Sequence, residues 1–217
     1  MKNFNNEGIE WTRVWRENAS KEADRVLLIG DSIIDGCKSL IGKELAPELS
    51  ISAFVTSKGL NNPYFIKELS LLCEQEDYEY KAIYFNSGLH FHRQSAEEYK
   101  ENYKKLLTEI RNIIPDTPII LGTSTPWTEG NSAAAKDHDT PLTLEGEVRF
   151  SERNKTVLEY NEKVFEIGRE EGLPVFDAYT LMLKNTRYKT SDGVHFKPEG
   201  SEILAKSIAS AIKEIIK

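Results

Sequence analysis

Five short runs of consecutive apolar residues, rich in β-branched side chains, punctuate the chain at 26–29, 51–56, 82–85, 118–122 and 174–176. Each is too short for a stable helix and is bounded by turn-forming or polar residues, so each is predicted to be a strand buried on both faces. Between the runs, 62–73, 95–114 and 151–172 carry apolar residues three and four apart, and 198–216 repeats that spacing after the last run. Four amphipathic helices are expected there. Strand and helix alternate, which is the βαβ pattern, and strands apolar on both faces need a parallel sheet covered on both sides by helices. Two boundaries are marked by residue type. Ser95 followed by Glu98 has the spacing of a capping box, and Gly172-Leu173-Pro174 is a stop after a helix.

Two stretches stand outside this rhythm. Residues 1–24 precede the first run, and their Trp11 and Trp15 lie four apart, as on one face of a helix; a helical extension packing its aromatic pair on the sheet edge is expected. Residues 127–147, with Gly130, Gly146 and a Ser-Ala-Ala-Ala run at 132–135, read as a long loop. Connections of that length inside a compact domain serve as lids or pocket walls more often than as plain linkers.

With 217 residues, 39% hydrophobic and 29% charged, the chain fits one globular domain with a large core. Its 28 basic against 35 acidic residues give a net charge of −7, which repels a phosphate backbone, so no nucleic-acid partner is expected. No run approaches the roughly 18 apolar residues of a membrane span, and no membrane partner is expected. Residues 1–7 lack the basic and apolar segments of a secretion signal, so the chain reads as cytoplasmic, although a secreted protein trimmed of its signal would look the same. Cys37 and Cys73 have no close-spaced Cys or His partners, so free thiols are expected and no metal site.

Candidate chemistry sits at the ends of two predicted elements. The first strand runs into Gly30-Asp31-Ser32, placing a hydroxyl just beyond the carboxyl end of a buried strand, where open α/β sheets bind ligands. Asp31-Ser32 serves equally well as an ordinary helix cap. Far along the chain, Asp192-Gly193-Val194-His195 lies in a polar loop before the last helix. A carboxylate three residues before an imidazole can hold it in one tautomer and leave its other nitrogen to take a proton, although the same tetrapeptide also makes a plain turn. Taken together, Ser32, Asp192 and His195 supply nucleophile, orienter and base. Other polar residues near the strand ends, His92, His138, Arg93 and Arg149, read as surface, and Tyr64, Phe91 and Trp127 either stack sugar rings or belong to the core.

These blocks resemble the SGNH hydrolases, the GDSL-type esterases and lipases, in order and spacing over roughly residues 25–205. Gly30-Asp31-Ser32-Ile33 looks like the family's first block, with Ile33 where Leu is common. Gly59 sits where the second block has its glycine, and Asp192-x-x-His195 looks like the last block. The third block departs: Gly88-Leu89-His90-Phe91 stands where Gly-x-Asn-Asp is usual, so His90 occupies the place of an oxyanion-hole asparagine. The resemblance implies a three-layer α/β/α fold with a five-stranded parallel sheet, flavodoxin-like in outline, and ester hydrolysis through an acyl-enzyme on Ser32 with no cofactor. Its implied oxyanion donors are Ser32, Gly59 and His90, with Asn86 as the alternative third. The polar composition favours a small acyl group, acetyl in particular, on a carbohydrate or similar alcohol. Competing expectations are a lipid or thioester substrate, and a catalytically impaired binding protein on the same fold.

Overall fold

The computed structural model describes residues 8–17, 23–76, 78–90, 94–129 and 148–217. Its sheet has six strands in the order β1-β3-β2-β4-β5-β6: β1 Thr12–Arg16, β2 Arg25–Gly30, β3 Ser50–Thr56, β4 Tyr80–Asn86, β5 Ile119–Gly122 and β6 Val175–Phe176. The five strands β2 to β6 correspond to the five apolar runs and are mutually parallel. All six residues of β2 are buried, and their alternation serves two layers at once. Val26 and Leu28 join the core formed with α1 (Ser32–Leu45) and α6 (Pro198–Ile216). Leu27 and Ile29 join the opposite core, with α2 (Pro63–Glu76), α3 (Ala96–Ile113) and α4 (Arg153–Glu171). The expected three-layer α/β/α architecture follows from this two-sided burial.

The expected helix boundaries agree closely with the structure. Ser95 and Glu98 form the capping box of α3, α4 ends at Gly172 with φ 65°, and Pro198 opens α6. Helix α1 was absent from the four helices read from the pattern, although Ser32 was expected to lead into a helix.

The extension before β2 is corrected. Residues 12–16 form a strand, not a helix, pairing antiparallel with β3 from Thr12↔Thr56 to Arg16↔Ser52. Spacing of four places two tryptophans on one face of a strand as well as of a helix, because four is a multiple of the strand's period of two. Thr12, Val14 and Trp15 then favour the pleat. Packing on the sheet edge is retained: Trp11 lies partly buried against the α1/α6 core, and Lys38 Nζ of α1 lies 5.3 Å from the Trp15 ring centroid.

Cys37 and Cys73 are free, and burial pushes both thiols up to about 12, so they stay protonated. Among the described residues, no helix is long and apolar enough to cross a membrane.

Gly30 has a role that its type alone does not disclose. It pairs with Val55 in regular strand backbone, so a tight turn is not what requires glycine here. A Cβ at this position would lie 2.4 Å from Ile34 Cγ1 and 2.7 Å from Ile34 Cβ, because α1 folds straight back over the strand end. Gly30→Ala is therefore expected to cost about 1–3 kcal/mol through overpacking, measurable as a lowered midpoint in chemical denaturation. Unchanged stability would mean that α1 can move away from β2 at no cost.

Candidate active site

Parallel pairing sends the carboxyl ends of β2 to β6 to one rim, and the candidate residues gather there. Beyond β2, Asp31 is the N-cap of α1, its Oδ1 accepting the Ile33 N–H at 3.0 Å, while its carbonyl accepts the Asp35 N–H at 2.9 Å. The capping alternative thus describes Asp31. Neither bond uses the Ser32 N–H, which sits in the first turn of α1, where the free ends of the peptide dipoles favour an anion.

Ser32 Oγ lies 2.8 Å from His195 Nε2, and His195 Nδ1 lies 2.5 Å from Asp192 Oδ2. Residues 163 positions apart are brought into one hydrogen-bonded relay. The local turn makes this possible. Asp192 Oδ1 accepts the N–H groups of Val194 at 2.8 Å and His195 at 2.9 Å and the Thr190 hydroxyl at 2.7 Å, an Asx turn that leaves Oδ2 for the ring. Gly193 adopts φ 76°, which an L side chain tolerates poorly, and its carbonyl accepts the Thr128 N–H at 2.9 Å and hydroxyl at 3.2 Å. The plain-turn alternative and the relay turn out to be one structure.

The charges in the relay support each other. Burial alone would raise the Asp192 carboxyl, but the donors from the His195 ring, the Val194 and His195 N–H groups and Thr190 hold it well below the usual carboxylate range. Asp192 in turn raises His195, more than burial lowers it. His195 is therefore expected to titrate by NMR above the ordinary imidazole midpoint of 6.5. Replacing Asp192 with Asn should bring that midpoint down, since the carboxylate favours the imidazolium. An unmoved midpoint would mean that the two side chains are apart in solution.

Gly59 is buried in the loop after β3, on the same rim. His90 follows β4, its ring T-shaped against Trp11 with centroids 6.1 Å apart, so the residue just before the edge strand β1 contributes to this corner. Asn86, the alternative donor, is committed to bonds of its own. Its Nδ2 donates to Gly122 O and to Thr123 O, both at 3.0 Å, and a carboxamide has only two N–H hydrogens. Arg149 is exposed, as expected, and Trp127 packs partly buried with Arg153 Cζ 5.0 Å from its ring centroid. Phe91, His92, Arg93, His138 and residues 130–147 of the expected lid lie outside the described residues. Among those described, no three His, Cys, Asp or Glu side chains converge as a metal site.

Two buried asparagines of α4 were not singled out from the sequence. Asn161 accepts the Ser124 N–H at 2.8 Å and donates to Ser124 O at 2.9 Å, and Asn154 accepts the Trp127 N–H at 2.8 Å. They hold the strap from β5 toward Thr128, and thus the Gly193 carbonyl. A signal existed: Asn154 and Asn161 share the apolar helix face of Val157 and Val164, where an amide needs a partner.

Comparison with known proteins now decides the family. The model of the GDSL-like lipase/acylhydrolase family matches residues 86–203, more than half of the chain, including Asp192 and His195. The chain belongs to that family. This GDSL-family chain is 31% identical over 120 residues to the GDSL esterase/lipase CPRD49 of Arabidopsis thaliana, a match covering 54% of this chain and 44% of the relative. It thus spans less than half of that relative's length. Among solved structures it is similar to the native aryl esterase of M. smegmatis, with TM-score 0.69 and 13% identity, covering 89% of this chain and all of that one. It is also similar to Est24, a carbohydrate acetylesterase from Sinorhizobium meliloti, with TM-score 0.68 and 11% identity over 88% and 99% of the two chains. The GDSL-family chain shares the fold of these enzymes.

Proposed function

We propose that the protein is a serine ester hydrolase that removes a small acyl group, acetyl above all, from a carbohydrate or comparable polar alcohol. The observation that carries this reading is the continuous relay from Ser32 Oγ through the His195 ring to Asp192. Such a relay lets a neutral imidazole take the serine proton as the hydroxyl attacks, while the carboxylate stabilises the imidazolium. Attack forms a bond from Ser32 Oγ to the carbonyl carbon. Collapse of the tetrahedral intermediate expels the alcohol, which takes its proton from His195, and leaves the acyl group on Ser32. Water, deprotonated by the same imidazole, then releases the carboxylic acid and returns the proton to Ser32.

The oxyanion rests on the N–H groups of Ser32 and Gly59, with His90 as the third donor in this reading, since both N–H bonds of Asn86 are committed. Membership of a lipase/acylhydrolase family supports ester chemistry, and the likeness to a carbohydrate acetylesterase supports the acetyl group and the sugar.

The direct test is incubation with a fluorophosphonate, followed by intact-mass and peptide analysis. One probe adduct on Ser32 is expected. No adduct on folded protein would overturn the enzyme reading in favour of a binding protein on this fold. Chain length is tested with p-nitrophenyl esters from acetate to octanoate. Acetate or propionate is expected to give the highest kcat/KM, and a maximum at octanoate would point instead to lipid substrates.

A further inference from the structure

Two cationic side chains are buried among the described residues: Arg25 at the amino end of β2, far from the rim, and Lys189, 4% exposed, in the loop that carries His195. An ammonium is costly to bury unless it is well compensated. Lys189 follows the short 3₁₀ turn Thr186–Tyr188 and forms an antiparallel bridge with Phe196. Its Nζ donates to Val194 O at 2.5 Å and lies 3.8 Å from the centroid of the Phe196 ring. These contacts fall on the residues immediately before and after His195. The His195 carbonyl is held as well, accepting the Thr190 N–H at 3.0 Å. The side chain and backbone of 189–190 therefore fasten three consecutive residues around the imidazole.

We propose that Lys189 is a positioning residue for the His195 base, holding the Val194 carbonyl and the Phe196 ring so that the imidazole edge stays at Ser32. The inference rests on the reading of Ser32 and His195 as nucleophile and base. The charge has a second effect. Asp192 in the loop and Asp31 from the cap of α1 both face His195 and favour its protonated form, and the Lys189 ammonium opposes them. Burial pushes the Lys189 ammonium down to about 7 against the pull of the same two carboxylates, so the cation is present on the acid side of that value. A base must be neutral to accept the serine proton. Removing the cation leaves the imidazolium favoured up to a higher pH, so the acid limb of the rate profile moves upward.

Steady-state kinetics with p-nitrophenyl acetate, from about pH 5 to about pH 9, separate position from charge when run on the wild type, Ser32→Ala, Lys189→Met and Lys189→Gln. Active enzyme is counted by fluorophosphonate titration, and thermal melts are recorded alongside. In Lys189→Met, kcat is expected to fall roughly 10- to 100-fold with KM within about twofold, the scale of a base displaced by a fraction of an ångström. The acid limb should also move to higher pH. Lys189→Gln keeps an N–H donor for Val194 O, one bond shorter than the lysine, so kcat should return to within roughly threefold of wild type once the loop closes that gap. Its acid limb should stay displaced, because the charge is gone. An unchanged kcat per active site together with an unmoved limb in Lys189→Met overturns the proposal, whatever happens to the melting temperature. If Lys189→Met does not fold, an unmoved limb in Lys189→Gln overturns it instead. Turnover surviving in Ser32→Ala defeats the nucleophile reading, and this inference with it.

Discussion

Ser32→Ala is expected to lower kcat for p-nitrophenyl acetate by roughly four to six orders of magnitude, the range in which serine hydrolases lose their covalent step. The methyl side chain removes the only atom of residue 32 that bonds His195, while α1 keeps its Asp31 cap and its packing against β2. Folding should therefore be unaffected, and the melt serves as the control. His195→Ala should match it within about an order of magnitude, because a nucleophile without its base is nearly as inert as no nucleophile. Near-normal turnover in either variant would refute the assignment.

Asp192→Asn is expected to cost about 10⁴ in kcat by another route. The asparagine Oδ1 can still accept the Val194 and His195 N–H groups and the Thr190 hydroxyl, so the Asx turn persists. Its Nδ2 then faces His195 Nδ1 and donates to it, which moves the ring hydrogen to Nε2. The imidazole now donates to Ser32 where it should accept. Fluorophosphonate labelling should slow in parallel with kcat, since both need the same proton taken from Ser32. Labelling at the wild-type rate, with turnover lost, would place the defect in deacylation and contradict the tautomer argument.

All three variants address residues legible from sequence type and spacing, and the reason is physical. Ser32 and the Asp192/His195 pair each depend on a few adjacent residues: a strand running into a hydroxyl, and an Asx turn that ends in an imidazole. Legibility declined where a feature depends on two distant segments. The need for glycine at position 30 was not legible, because the crowding that excludes a side chain comes from Ile34. The strand Thr12–Arg16 was read as helix because a spacing of four fits both periods, and pairing with β3 decides between them. Asn86 looked available as a donor until β5 was placed beside it, with two carbonyls for its amide. Lys189 is unremarkable as a residue type, and only its burial gives it a role, while the place of Asn161 on an apolar helix face hints at a partner without naming it. The two core layers were more accessible, because the pattern of the β2 segment already demands cover on both faces.

The 163-residue separation of Ser32 from His195 also orders events during synthesis. At the usual elongation rate of about 5–20 residues per second, roughly ten to thirty seconds pass between the emergence of the serine and that of the imidazole. For that interval the hydroxyl is an ordinary alcohol, with no partner to draw off its proton. The α1/α6 core closes later still, because α6 follows His195. On the proposed reading of Ser32 as nucleophile, reactivity therefore begins only when nearly the whole sandwich can assemble, and the nascent chain is not acylated at Ser32 while it is still unfolded.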